Sequence, residues 1–168
     1  MNLVLDLKNY DRTETVFQRR AARAIVWKGE RILLISGRYG DCKFPGGGIE
    51  PGERLEDTLA REVAEETGYR VDLPTVCRYG QVLERRKGLY EDVMEMVSYY
   101  FTCTVLADIG RQRLDAYEQD HQYQAIWIPP GEAIARNKQV TDLAHCPWVT
   151  RETLVLEHLL GQKEEETT

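Results

Sequence analysis

Residues 54–67 contain neither glycine nor proline, and a glycine-rich stretch precedes them. Leu55, Leu59 and Val63 recur within this segment at four-residue spacing, which is typical of a helix that buries one face. Gly68 follows directly and suits the left-handed conformation at which many helices end. The pattern predicts an amphipathic helix over residues 54–67 that packs its apolar side against a core.

Segments rich in β-branched and aromatic residues lie on both sides of this helix. In residues 21–36, two apolar runs are separated by Lys28, Gly29 and Glu30, which predicts a hairpin with a short turn. Further strands are predicted over residues 71–84, 93–106 and 123–129, and further helices over residues 132–136 and 151–160. Strands that surround one central helix, without regular β-α-β alternation, predict an α/β domain with a mixed sheet.

The loop before the helix, residues 44–53, holds three consecutive glycines and two prolines. This composition excludes regular helix and favours a close approach of the backbone to other groups. We expect Gly46, Gly47 and Gly48 to lead directly into the helix. Their backbone amides would then contact phosphate oxygens. A turn needed only to enter the helix is the alternative, and the ending of a Walker loop is absent.

Three glutamates, Glu62, Glu65 and Glu66, lie one helical turn apart on the predicted helix. If Glu62 is placed at zero, Glu65 falls near −60° and Glu66 near +40°, while the apolar stripe covers about +20° to +100°. A solvated acidic face would lie opposite that stripe, whereas these carboxylates overlap its edge. Repulsion between partly buried carboxylates requires a cation, and a hard divalent ion such as Mg²⁺ suits oxygen ligands. Spacing alone leaves a structural Ca²⁺ site open.

The net charge of −6 argues against nonspecific contact with nucleic acid polymers, which needs a field of Lys and Arg. A bridging metal would let an acidic protein hold a polyanionic substrate. The four cysteines are scattered, which favours free thiols over a zinc site or disulfides. No apolar run is long enough for a membrane helix, so we expect a cytoplasmic protein with no membrane contact.

Residues 47–69 resemble the Nudix box, the signature of the Nudix hydrolases. The residues that carry the resemblance are Gly47, Glu53, the run Arg61-Glu62-Val63-Ala64-Glu65-Glu66 and Gly68. Tyr69 departs from the usual aliphatic residue, which concerns packing rather than chemistry. The resemblance implies an α/β/α sandwich with a mixed sheet and a central catalytic helix. It places a single Nudix-like domain at residues 17–160, with an N-terminal arm or edge strand at 1–16 and a polar tail at 161–168.

The resemblance also implies roles for individual residues. Glu62, Glu65 and Glu66 would be ligands of Mg²⁺, for which Mn²⁺ could substitute, and one such glutamate or one on a later loop would activate water. Arg61 and Glu53 would pair and orient these ligands, so the predicted catalytic residues are Glu53, Arg61, Glu65 and Glu66. Glu53 could equally complement the helix dipole.

Family members often supply a further acidic ligand from the segment before the late strand that contains Trp127. Glu118 is favoured here over Asp120, with a solvated loop as the alternative. The basic cluster at residues 85–87 offers Arg85 to substrate phosphates, unless it is only the tip of a surface hairpin. Of Arg20 and Arg23, which lie on opposite faces of a strand, at most one is expected to face the cleft.

The predicted function is Mg²⁺-dependent hydrolysis of a phosphoanhydride bond in a nucleoside-diphosphate-linked substrate, such as a nucleoside triphosphate or an oxidised nucleotide. A nucleotide-sugar pyrophosphatase and a non-catalytic, ligand-sensing Nudix-like domain are the alternatives. The expected partner is a small nucleotide-type molecule, and a homodimer is compatible with the sequence.

Overall fold

The computed structural model describes residues 1–166, which form eleven strands and four α-helices. The strands are β1 (Asn2–Asp6), β2 (Val16–Ile25), β3 (Trp27–Lys28), β4 (Arg31–Ser36), β5 (Cys42–Lys43), β6 (Gly46–Gly48), β7 (Tyr69–Val71), β8 (Cys77–Lys87), β9 (Val93–Thr102), β10 (Val105–Ile109) and β11 (Gln124–Ile128). The helices are α1 (Leu55–Thr67), α2 (Ala116–Asp120), α3 (Pro130–Asn137) and α4 (Val149–Glu166). Within these residues, no helix combines the length and the apolar character needed to cross a membrane.

The largest sheet is mixed and has the strand order β1-β8-β9-β2-β6. Strand β1 pairs in parallel with β8 at one edge, and β9 pairs in parallel with β2 in the middle. The β8–β9 and β2–β6 pairs are antiparallel. A second sheet runs β11-β4-β3 with β5 beside β4, and β7 pairs with β10. This is the mixed sheet that the sequence predicted.

Helices cover the two faces of the strands. On one side, Leu59 and Val63 of α1 pack with Ala22, Ala24 and Leu33. On the other side, Ile134 of α3 and Val155 and Leu156 of α4 belong to a second cluster. The residues from the strands and the loop that share this cluster include Ile25, Leu34, Phe44 and Tyr100. The strands therefore lie between two helical layers, and the predicted α/β/α sandwich is confirmed.

Helix α1 has the extent that its sequence pattern predicted. Leu59 and Val63 are fully buried, so the four-residue apolar stripe is the face that meets the core. Gly68 has a φ of 76°, and its N–H donates to the carbonyl of Ala64. This left-handed cap fixes the end of the helix just after the three glutamates.

Other predicted elements differ from those observed. The hairpin turn at Gly29 is present, but β2 and β4 belong to different sheets because β2 pairs with β9 and β6. The strand predicted over residues 71–84 is divided by a 3-10 turn, Leu73–Thr75, in which Pro74 has no N–H to donate. The last helix spans Val149–Glu166, whereas the prediction ended it at Leu160.

Candidate active site

The glycine-rich segment forms strand β6, which pairs with β2 at the edge of the large sheet. Gly46 has a φ of 140°, and a Cβ added there would lie 2.1 Å from the carbonyl oxygen of Ala22. A Cβ on Gly47 would lie 2.5 Å from the carboxylate of Glu62. The predicted close approach is therefore present. The expectation that these glycines run directly into the helix was wrong, because residues 49–54 separate β6 from α1.

Glu66 has the most restrained carboxylate on α1. It is 1% exposed, accepts the N–H of Gly46 at 2.7 Å, and forms an ion pair with Lys43 at 2.8 Å. Lys43 in turn lies over the ring of Tyr123, with Nζ 4.0 Å from the ring centroid. The amide of Gly46 thus holds a side chain of the protein, a role that differs from the predicted contact with substrate phosphate.

Glu62 lies one helical turn before Glu66 and faces the same space. Its carboxylate accepts a hydrogen bond from Arg61 at 2.8 Å. Burial raises the pKa of Glu62, the hydrogen bond from Arg61 opposes this, and the negative charge of Glu66 raises it further. The net direction is upward, so ionised Glu62 lacks full compensation by protein charges.

Glu118 lies close to the two helix glutamates and lines the same cavity. It belongs to α2, whose first turn is held by a capping box with Asp115. One carboxylate oxygen from each of Glu62, Glu66 and Glu118 lies within 4.8 Å of the others. Burial raises the pKa of Glu118, and the charge of Glu66 adds to this effect. Three crowded carboxylates with oxygen donors alone form a set that fits a hard divalent cation such as Mg²⁺.

The remaining residues of the motif lie beside this cluster. Arg61 donates to both carboxylate oxygens of Glu53, at 2.7 and 2.9 Å, so the predicted pair is present. The hydrogen bonds from Arg61 and then Thr58 lower the pKa of Glu53 to about 2. Glu65 faces Arg61 at 3.3 Å, with a third of its side chain exposed, and the structure does not bring it into the cluster. Its predicted role as a ligand stays a prediction.

A cavity of about 350 Å³ opens beside the carboxylates. Gly46, Gly47 and Gly48 line it, as predicted, together with basic side chains from four different elements: Arg19, Arg23, Lys43, Arg86 and Arg151. Three aromatic residues, Tyr117, Tyr123 and Trp148, form part of its wall. The cavity thus combines an acidic cluster with several cations and an apolar surface.

The structure does not bring Arg85 into the cavity. Its Nε lies 3.2 Å from the carboxylate of Glu95, and its guanidinium faces the ring of Tyr10. Residues 85–87 belong to strand β8 and not to a hairpin tip, so Arg85 and Arg86 point to opposite faces of the sheet. The same alternation places Arg23 at the cavity, whereas Arg20 packs over Tyr99.

A second group of charges is buried beneath the cavity. Arg151 is 1% exposed, donates to Glu152 at 2.7 and 2.9 Å, and also binds Glu84. The other carboxylate oxygen of Glu152 accepts the N–H of Phe44 at 2.9 Å. Burial alone would raise the pKa of Glu152, but Arg151 and Arg23 outweigh it and lower that pKa. In this network, which sequence patterns did not reveal, the charges of Glu84 and Glu152 are opposed by Arg151 and Arg23.

Comparisons with known proteins agree with this geometry. The family description "NUDIX domain" matches residues 17–149. A nucleoside triphosphatase NudI of Escherichia coli is 28% identical over 121 residues, covering 72% of this chain and 79% of the relative. The NudI of Salmonella schwarzengrund is 30% identical over the same shares. A NUDIX hydrolase structure from Nitrosomonas europaea has a TM-score of 0.60 at 20% identity, covering 85% of this chain and 90% of that one.

The family match extends over most of the chain and contains every residue of the glutamate cluster. The solved structure shares the arrangement of sheet and helices that positions this cluster. The chain therefore belongs to the Nudix hydrolase family and is a pyrophosphohydrolase of the Nudix type.

Proposed function

We propose that this protein hydrolyses a phosphoanhydride bond in a nucleoside-diphosphate-linked substrate and that the reaction depends on Mg²⁺, with Mn²⁺ as a substitute. Nucleoside triphosphates and oxidised nucleotides are the first candidates, since the relatives from Escherichia coli and Salmonella are named nucleoside triphosphatases. The observation that carries the proposal is the group of carboxylate oxygens of Glu62, Glu66 and Glu118 at the wall of a basic cavity.

The three carboxylates would hold the metal ion, since no basic side chain balances all of them. Glu66 is paired with Lys43 and Glu62 with Arg61, while burial and the charge of Glu66 raise the pKa of Glu118. When bound, Mg²⁺ neutralises charge on phosphate oxygens and makes a nearby water more acidic. The amide of Gly46 and the Arg61–Glu53 pair keep the helix carboxylates in place.

The chain supplies the other requirements of an in-line displacement. Lys43 and Arg23 line the cavity and would bind nonbridging oxygens of the diphosphate. Glu118 would accept the proton of the attacking water, because it belongs to α2 and, unlike Glu62 and Glu66, forms no ion pair with a basic side chain of residues 1–166. Glu65 stays a predicted catalytic residue, and it would reach the metal only by leaving Arg61.

The proposal is tested by incubating the purified protein with a panel of nucleoside triphosphates, oxidised nucleotides and nucleoside diphosphate sugars. Reactions contain Mg²⁺, Mn²⁺, Ca²⁺ or a chelator, and the products are identified by mass. We expect phosphate or pyrophosphate release with Mg²⁺ or Mn²⁺ and none with the chelator. Reaction in ¹⁸O water identifies the phosphorus attacked. Tight Ca²⁺ binding without Mg²⁺-dependent product from any substrate would instead favour a structural or ligand-sensing domain.

A further inference from the structure

One part of the cavity wall is rich in arginine. Four guanidinium groups line it, and we call this the arginine end; they belong to Arg19, Arg23, Arg86 and Arg151. The carboxylates that contact them are Glu84 and Glu152. Four positive charges face two negative charges in direct contact with them, an excess of two that Glu62 offsets in part through its interaction with Arg19.

The excess is concentrated on Arg19 and Arg86. Arg151 donates hydrogen bonds to one carboxylate oxygen of Glu84 and to one of Glu152. The Nε of Arg86 lies 3.3 Å from Glu84 but makes no hydrogen bond. Arg19 has no hydrogen bond or ion pair with any residue of the described part of the chain, 1–166.

Electrostatics agree with this count. Burial and then the charge of Arg23 lower the pKa of Arg19, with smaller contributions from Arg151 and Arg86, while Glu62 opposes them. Burial likewise lowers the pKa of Arg86, which Glu84 opposes and Arg151 reinforces. The Arg19 side chain keeps access to solvent, but both guanidinium groups lie where positive charges are crowded, so an anion placed between them would relieve an existing cost.

Strand register brings the two side chains over one surface. Arg19 is paired with Met96 across β2 and β9, and Arg86 is paired with Met94 across β8 and β9. The two arginines therefore flank β9 from its two neighbours, with Cα atoms about 12 Å apart, since they are two strand spacings apart across the sheet and offset by two residues along it. Met94 and Met96, which are 7% and 6% exposed, form an apolar floor between them.

We propose that Arg19 and Arg86 form a second anion subsite, which holds a substrate phosphate that is not part of the hydrolysed anhydride. A nucleoside triphosphate carries such a phosphate, whereas a nucleoside diphosphate linked to a neutral sugar does not. The arginine end thus selects triphosphates among the substrates considered above. The assignment to a substrate phosphate rests on the proposed function, but the capacity to bind an anion does not.

Binding of inorganic pyrophosphate in the presence of a chelator tests the subsite without catalysis. We expect the wild-type protein to bind it measurably by calorimetry and Arg19→Met or Arg86→Met to weaken binding about ten- to a hundredfold, as for a lost charge-assisted hydrogen bond. Arg20→Met is the matched control, because Arg20 packs over Tyr99 on the opposite face, and it should bind like the wild type. Glu66→Gln should also retain binding. The subsite is overturned if the wild type does not bind pyrophosphate, or if both methionine variants bind it as tightly as the wild type.

A substrate comparison with Mg²⁺ tests its role in selectivity. Arg19→Met and Arg86→Met should raise the KM for a nucleoside triphosphate about ten- to a hundredfold and leave the KM for the matching nucleoside diphosphate hexose unchanged. Equal increases for both substrates would overturn the assignment to an additional phosphate. If no substrate is turned over, the proposed function fails, and pyrophosphate binding still decides the subsite. Circular dichroism checks that Arg86→Met, next to buried Glu84, remains folded; Arg19 is exposed and tests the same subsite independently.

Discussion

Two groups of buried charges lie close together in this protein and differ in how they are balanced. In the network of Glu84, Arg151 and Glu152, each carboxylate is hydrogen-bonded to the same guanidinium, and the pKa of Glu152 is lowered. In the cluster of Glu62, Glu66 and Glu118, by contrast, the pKa values of Glu62 and Glu118 are raised. The carboxylates of the first group find their counter-charges within the protein, chiefly in Arg151. The second group has more carboxylates than paired basic side chains, which favours the binding of a cation.

The comparison is tested most strongly at Arg151. Arg151→Met should lower the free energy of unfolding by about 3–5 kcal/mol, because it leaves Glu84 and Glu152 buried without their shared partner. Urea denaturation monitored by circular dichroism measures this. Arg136→Met is the matched control, since it removes an exposed helical ion pair with Glu132 and should cost less than about 1 kcal/mol. Similar losses of unfolding free energy in the two variants would show that the buried network contributes no more to stability than an exposed ion pair.

Glu66→Gln should lower turnover strongly. It should also lower the free energy of unfolding, because it leaves Lys43 without its carboxylate partner. We expect kcat/KM with Mg²⁺ to fall at least about a hundredfold, since the amide is a poor ligand for a hard cation and removes one of the three charges. Steady-state kinetics and a melting curve measure the two effects together. Asp57→Asn, on the exposed side of the same helix, should leave kcat/KM unchanged. Full activity of the Glu66 variant would contradict a metal site at the cluster.

The smallest expected effect is at Glu62. Its substitution should stabilise the protein, whereas substitution in the Arg151 network should destabilise it. Because the folded protein raises the pKa of Glu62, its ionised form costs stability at neutral pH. In chelator, Glu62→Gln should therefore raise the free energy of unfolding by up to about 1 kcal/mol. The gain should shrink as the pH falls and Glu62 of the wild type becomes protonated. Urea denaturation across pH measures it, and destabilisation at pH 7 would show that Arg61 already balances this charge.

The helix and the ranking of its carboxylates follow from the sequence. Helical angles place Glu66 nearest the centre of the apolar stripe and Glu65 farthest from it. In the structure Glu66 is buried and paired, and Glu65 is one-third exposed and faces Arg61. The same angles that predict three clustered glutamates therefore also indicate which one lies outside the cluster.

The basic residues of the cavity could not be predicted in this way. Arg85 and Arg86 differ by one position in a strand, and one position decides which face of the sheet a side chain takes. The register of β8 that places Arg86 at the cavity depends on pairing with β9, and the place of Arg19 depends on the parallel pairing of β2 with β9. The β2–β9 pairing joins distant parts of the chain and leaves no local pattern, and the β8–β9 hairpin fixes the face of Arg86 only once its register is known.

The glycine strand β6 has a consequence for the survival of missense variants. A side chain at position 46 would collide with the backbone of Ala22, which cannot move without the sheet, whereas the atoms nearest to one at position 47 belong to the flexible carboxylate of Glu62. In a genetic selection for activity, alanine at either position would be lost. A screen for folded protein would recover only Gly47→Ala. Two adjacent codons thus carry different kinds of constraint, one on the architecture and one on the chemistry.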